Sequence, residues 1–82
     1  MKKWYLYVVE CSDGSLYTGI TTNIERRINE HNYGDRGAKY TRSRRPVKLI
    51  YKERVIDRSI ASKREYRIKR LKRSEKTLLI KD

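Results

Sequence analysis

Two runs of aromatic and β-branched residues, 4–11 and 15–21, are separated only by Ser12-Asp13-Gly14, and this short gap constrains the fold more than any other feature. Trp, Tyr, Val, Thr and Ile suit a pleated strand, and an Asp-Gly pair between two such runs is a strong hairpin signal. Loop length then decides which side chains meet. A two-residue Asp13-Gly14 turn pairs Tyr7 with Ile20 and Tyr17 with Glu10, which sends the two tyrosines to opposite faces of the sheet. A three-residue loop, with Gly14 in the left-handed region, pairs Tyr7 with Gly19 and Val9 with Tyr17. Tyr7, Tyr17 and Gly19 then share one face.

The remaining elements follow from caps and periodicity. Asn23, or Thr22 beside it, is suited to cap a helix running to about residue 31, with Ile24, Ile28 and His31 on one stripe. Residues 33–45 carry Gly34 and Gly37 among polar and charged neighbours without periodicity, and read as an exposed basic loop. Pro46 opens a third strand over 47–56, with Val47, Leu49, Tyr51 and Val55 on one side. Asp57 caps a longer helix to about residue 73, carrying Ile60, Ala61, Ile68 and Leu71 toward the core. Ser74 caps a short closing helix over 76–80. The order ββαβαα predicts an α+β fold, a three-stranded antiparallel sheet flanked by helices, in one domain over residues 1–82.

Charge restricts the partner. Lys and Arg number 22 against 10 acidic residues, a net charge of +12. Such an excess repels itself in a compact state, so a polyanion is the natural counterpart. The partner read from this is a nucleic acid, and charge alone does not separate DNA from RNA. The basic positions fall into two groups, Lys39, Arg42, Arg44 and Arg45 with Tyr40 for base stacking, and Lys63 and Arg67 on the second helix. With one Cys and one His there is neither an internal disulfide nor a zinc framework, and Cys11 reads as an inert strand residue. The apolar run 4–9 is too short to span a membrane, and no secretory leader follows Met1-Lys2-Lys3. A cytoplasmic protein without a membrane partner is expected.

Against this scaffold a few side chains carry chemistry. Gly19 inside a strand marks either a bulge or the close approach of another group. Tyr7 and Tyr17 are strand aromatics or proton-handling hydroxyls. Arg27 and His31 lie one helical turn apart on the same flank. The guanidinium suits a phosphate bidentately, and the imidazole either transfers a proton or caps the helix end. Glu65 is the lone acid among Lys63, Arg64, Arg67, Lys69 and Arg70, on the stripe of Ala61 and Ile68. A carboxylate there pairs with a neighbouring arginine or holds a metal. One carboxylate suits one hard cation, Mg²⁺ or Mn²⁺, completed by water and phosphate oxygens, and does not suit a two-metal site.

Taken in order, Tyr5-Leu6-Tyr7, Tyr17-Thr18-Gly19, Asn23 through Arg27 with His31, and Glu65 resemble the GIY-YIG nuclease superfamily, which includes the UvrC amino-terminal domain and the Slx-type endonucleases. The resemblance spans essentially the whole chain and is nearest to small single-domain bacterial members. It implies a metal-dependent, weakly selective, structure-directed endonuclease acting in DNA processing or repair. Tyr7 or Tyr17 would serve as general base, Arg27 would hold the phosphate and Glu65 one divalent metal. Three positions depart from the motif, Tyr5 and Leu6 in place of Gly-Ile and Thr18 in place of the central Ile of the second tripeptide, and Ser74-Glu75-Lys76 offers no Asn where some members carry a carboxamide. Larger members carry a separate DNA-targeting domain, so a protein partner supplying targeting is a further expectation. A non-catalytic or partner-dependent nucleic-acid-binding module is the alternative.

Overall fold

The computed structural model describes residues 3–81. Their order is β1 (Trp4–Glu10), β2 (Leu16–Thr21), α1 (Ile24–Asn32), α2 (Lys39–Arg42), β3 (Lys48–Val55), α3 (Arg58–Lys69) and α4 (Arg73–Lys81). The sheet is antiparallel with strand order β2-β1-β3, so the hairpin places β1 at the centre. The α+β class and the three-stranded sheet are as read from the sequence.

The hairpin takes the three-residue loop. Gly14 has φ +84°, its amide donates to the Cys11 carbonyl at 2.9 Å, and the Cys11 amide donates to the Ser15 carbonyl at 2.8 Å. The Asp13 carboxylate accepts from the Ser15 amide at 3.0 Å and hydroxyl at 2.6 Å, closing the turn locally. Tyr7 consequently pairs with Gly19 and Val9 with Tyr17.

Alternation then sorts the core into two sides. Tyr7, Val9, Cys11 and Val47 form one buried cluster, against which Tyr17, Leu49 and the α1 residues Ile24 and Ile28 pack. Asn23 caps α1, its side chain accepting from the Arg26 amide. Leu6, Val8 and Thr18 are buried on the opposite face. Glu53 pairs with Leu6 across the strands, and its carboxylate takes a two-pronged bond from Arg64 at 2.9 and 3.1 Å. That fork seats α3, with buried Ala61 and Ile68, over this second face.

Four expectations need correction. The residues of β3 do not share one side. A bulge at Ile50, between the pairs Val8–Tyr51 and Val9–Leu49, puts Val47 and Leu49 with Tyr7 while Tyr51 and Val55 face the α3 side. One inserted residue inverts the alternation. Ile60 is 41% exposed, because a helix stripe through Ala61 and Ile68 leaves position 60 rotated off it. The helix capped by Asp57 stops at Lys69 and α4 already begins at Arg73. Ser74 therefore lies inside it, and Glu75 instead accepts from the Lys72 amide at 2.9 Å. Finally, the 33–45 segment contains α2 and a completely buried Thr41.

Thr18 gives a stability test. Its hydroxyl is buried and, among the described residues, has no hydrogen-bond partner. Burying an unpaired hydroxyl is unfavourable, so Thr18→Val is expected to raise stability by about 1 kcal/mol. The urea midpoint should rise at an unchanged slope; an unchanged or lower midpoint would show that the hydroxyl is satisfied.

Candidate functional site

The hairpin register brings the first pieces together. Tyr7 lies across from Gly19, and an added Cβ on Gly19 would stand 2.6 Å from Tyr7 Cζ and closer still to the hydroxyl. The glycine is present because the Tyr7 ring lies over its Cα. The Tyr7 hydroxyl reaches α1, where its oxygen is 2.7 Å from His31 Nε2. His31 is wholly buried, and its other nitrogen is 2.9 Å from Thr41 Oγ1. The histidine thus does more than cap a helix: it joins a strand residue to a loop residue through both ring nitrogens.

Tyr17 stands beside this chain. Its ring meets His31 edge-on at 5.4 Å and stacks on Tyr40 at 5.9 Å. The Lys69 ammonium lies 5.3 Å from the Tyr17 ring centroid, and the same ammonium is 3.5 Å from the Glu65 carboxylate. Lys69 therefore links Glu65 to the Tyr17 side of the site. Glu65 is about a quarter exposed, which leaves its carboxylate partly reachable from solvent.

Arg27 occupies the boundary of α1 expected from its position. Its Nη1 donates to Glu30 at 2.8 Å and to the Arg36 carbonyl at 2.9 Å. Those two bonds fix the arginine and hold residue 36 against α1. Burial pushes Tyr7 up to about 12, against the opposing pull of the nearby Arg27 guanidinium. Burial also pushes His31 down to about 4, with the Arg27 charge adding to the effect. At neutral pH both groups are uncharged.

The His31 shift has a thermodynamic consequence. An unfolded histidine titrates near 6.5 and the folded one near 4, so the unfolded state binds the proton first as pH falls. Stability complete above pH 6.5 should decline by about 1.4 kcal/mol per pH unit between there and pH 4. Because the chain has one histidine, urea midpoints between pH 7 and 5 report on it directly. A flat profile over that range would place His31 in contact with solvent.

The basic residues separate into two behaviours. Arg42 donates to the Asp35 carbonyl at 2.8 Å, Arg44 to Asp13 at 3.1 Å and the Tyr40 carbonyl at 2.7 Å, and Arg45 to the His31 carbonyl at 2.7 Å. These three arginines pin the 33–45 segment in place. Tyr40 is partly exposed, with Tyr17 stacked on its ring and the Arg44 guanidinium 4.0 Å from its centroid. Lys39 is exposed on α2. Lys63 and Arg67, with Ser62 and Tyr66, line a shallow depression of about 360 Å³ on α3.

Sequence reasoning missed Thr41, Glu30 and Gly37. A Cβ on Gly37 would stand 2.7 Å from the Glu30 carbonyl oxygen, so the loop backbone lies directly on the end of α1. The only sequence signal for this was a short uncharged residue, Thr41, in the basic run Lys39-Tyr40-Thr41-Arg42, together with the two glycines before it.

Among the described residues no group of three His, Cys, Asp or Glu side chains could enclose a metal, and none of the helices is long and apolar enough to cross a membrane.

The sequence model of the GIY-YIG catalytic domain matches residues 3–78. A UPF0213 protein from Desulfotalea psychrophila is 63% identical over 95% of this chain and 71% of its own length. A UPF0213 protein from Staphylococcus haemolyticus is 52% identical over 100% and 99%. Two solution structures share the fold. The Enterococcus protein EF2693 (E. faecalis) superposes with a TM-score of 0.68 at 47% identity, over 99% of this chain and 85% of that one. A UPF0213 protein from Bacillus halodurans gives 0.62 at 43%, over 96% and 83%. A family-model match over nearly the whole chain means that this chain belongs to the GIY-YIG family.

Proposed function

We propose that the protein is a metal-dependent endonuclease that hydrolyses phosphodiester bonds in DNA, with the Tyr7–His31 pair taking the proton of the attacking water. The observation that carries this reading is the 2.7 Å contact between Tyr7 and His31, with Arg27 near the same hydroxyl. A phosphodiester bound to the Arg27 guanidinium lies beside the Tyr7 oxygen. Water attacks phosphorus as its proton moves to that oxygen, and the Tyr7 proton moves to His31 Nε2. The new P–O bond forms as the opposite P–O bond breaks, and the leaving oxygen takes the bonding pair and a proton from solvent. His31, being acidic with a pKa of about 4, then gives up its proton readily.

The arginine has two uses here. It holds the phosphate and stabilises the added charge at the pentavalent stage. The bound anion in turn offsets the arginine charge that depresses His31, making the histidine a better base when substrate is present. Glu65 is the residue that would hold a divalent cation, and a lone, partly exposed carboxylate fits a water-rich Mg²⁺ or Mn²⁺ site. When bound, that cation supplies positive charge to the leaving oxygen. Lys39, Lys63 and Arg67 contact the nucleic-acid backbone, giving binding by charge and shape without base reading.

A second reading, a basic nucleic-acid-binding module without catalysis, draws on the wide gap between Tyr7 at about 12 and His31 at about 4. Cleavage of nicked, branched and single-stranded DNA separates the two. The nuclease should cut at least one of these with Mg²⁺ or Mn²⁺, lose the cut in chelator, and lose it in Tyr7→Phe and Glu65→Gln while binding persists. Binding without cleavage of any substrate at any metal concentration leaves the second reading standing.

A further inference from the structure

The Tyr7–His31 contact continues inward to a residue that the family motifs do not mark. His31 Nδ1 lies 2.9 Å from Thr41 Oγ1, and that hydroxyl donates to the Ala38 carbonyl at 3.0 Å. Thr41 is wholly buried. We infer that Thr41 is a positioning residue that holds His31 in the tautomer protonated on Nδ1, leaving the Nε2 lone pair facing the Tyr7 hydroxyl.

Counting protons along the chain sets the direction of every bond. The Tyr7 hydroxyl is neutral and its residue is 1% exposed, so its proton needs an acceptor inside the protein. Arg27 beside it has donors only, and Tyr17 and Glu65 act on it by charge, with no hydrogen bond from either to the Tyr7 hydroxyl among the described residues. The acceptor is therefore His31 Nε2, at 2.7 Å. A neutral imidazole carries one N–H, which must then be on Nδ1, and it points at Thr41. The Thr41 proton is already directed to the Ala38 carbonyl, so its oxygen has a lone pair for the imidazole. The Ala38 amide also approaches Nδ1, but at 3.4 Å it is the longest contact of the set and too long to compete.

The segment around α2 is fastened so as to deliver this one hydroxyl. Arg27 holds the Arg36 carbonyl, Arg45 holds the His31 carbonyl, and Gly37 lets the backbone lie on α1 without a side chain between them. A four-residue helix then turns Thr41 inward. Such a short helix has little stability of its own, so its place depends on these tethers.

The catalytic meaning of the tautomer rests on the nuclease reading; the tautomer does not. With a single histidine, the imidazole nitrogens of ¹⁵N-labelled protein give one spin system, read near pH 7 without substrate or metal. Wild type should show a protonated Nδ1 and an unprotonated Nε2. Thr41→Val should lose that preference and mix in or adopt the other tautomer, and Thr41→Ser should restore it. In the cleavage assay, Thr41→Val should fall about 10–100-fold, the usual cost of losing a group that orients a functional histidine, and Thr41→Ser should recover. A protonated Nε2 in the wild type overturns the assignment without any variant, as does an unchanged tautomer in Thr41→Val. If the wild type cuts no DNA yet shows the Nδ1–H tautomer, the nuclease reading fails while the assignment holds.

Discussion

Replacing Arg27 with alanine should lower DNA cleavage about 10²–10³-fold, the loss that follows removal of one preorganised donor from a developing anion. Two effects act together. The phosphate loses the planar fork that holds it, and Tyr7 loses a positive charge that opposes the upward push of burial on its pKa. Arg27→Lys keeps the charge without the fork and should remain well below wild type. Binding should survive, with the slope of log K against log salt reduced in magnitude by about 0.9 for the lost phosphate contact on duplex DNA. Because Arg27 also tethers Glu30 and the Arg36 carbonyl, unfolding curves must accompany the assay. Cleavage within tenfold of wild type in a folded Arg27→Ala protein would remove the arginine from the reaction.

Gly19→Ala should be harmful in stability and activity at once. Its Cβ would stand 2.6 Å from Tyr7 Cζ, a separation that real side chains do not sustain, and Tyr7 is held by its neighbours and its bond to His31. Overpacking of this kind costs about 1–3 kcal/mol. For a domain of this size, each kcal/mol lowers Tm by about 4–8 °C. The displaced hydroxyl should also lose its alignment, and a shift of about 1 Å at a reacting group can cost 10²-fold in rate. The close contact is with the phenol end of the ring, so Tyr7→Phe in the Gly19→Ala background should recover part of the stability. The double-mutant cycle would then show strong coupling. Gly19→Ala protein as stable and active as wild type would mean that the Tyr7 ring is not seated over the strand.

Much of the fold was legible because its signals are local. The hairpin, the Asn23 and Asp57 caps, and the Ile24–Ile28–His31 stripe all rest on neighbours within a turn or a strand pair. The failures have one character. The Ile50 bulge depends on how β3 docks on β1, and one extra residue reversed the face of Tyr51 and Val55. The 33–45 segment has no periodicity because it is held by tertiary bonds to α1 and the hairpin loop, so its own sequence hints at a buried threonine only through an uncharged residue in a basic run. Nor does the sequence announce that Arg42, Arg44 and Arg45 donate to backbone carbonyls and to Asp13.

The sequence by itself determined that Tyr7, Tyr17, Gly19, Arg27, His31 and Glu65 are present in an order suited to phosphodiester chemistry on a basic domain. It also reduced the question of whether the tyrosines meet to one loop length. Only the tertiary structure decided that length, and with it the contact of Tyr7 with His31 and Gly19. It alone showed that Thr41 completes the chain, and that Lys69 ties Glu65 to the Tyr17 side. The physical reason is that turn and cap preferences act over a few residues. Which nitrogen of a buried histidine meets which hydroxyl is set by groups ten and twenty-four positions away, brought together only when sheet and helices pack.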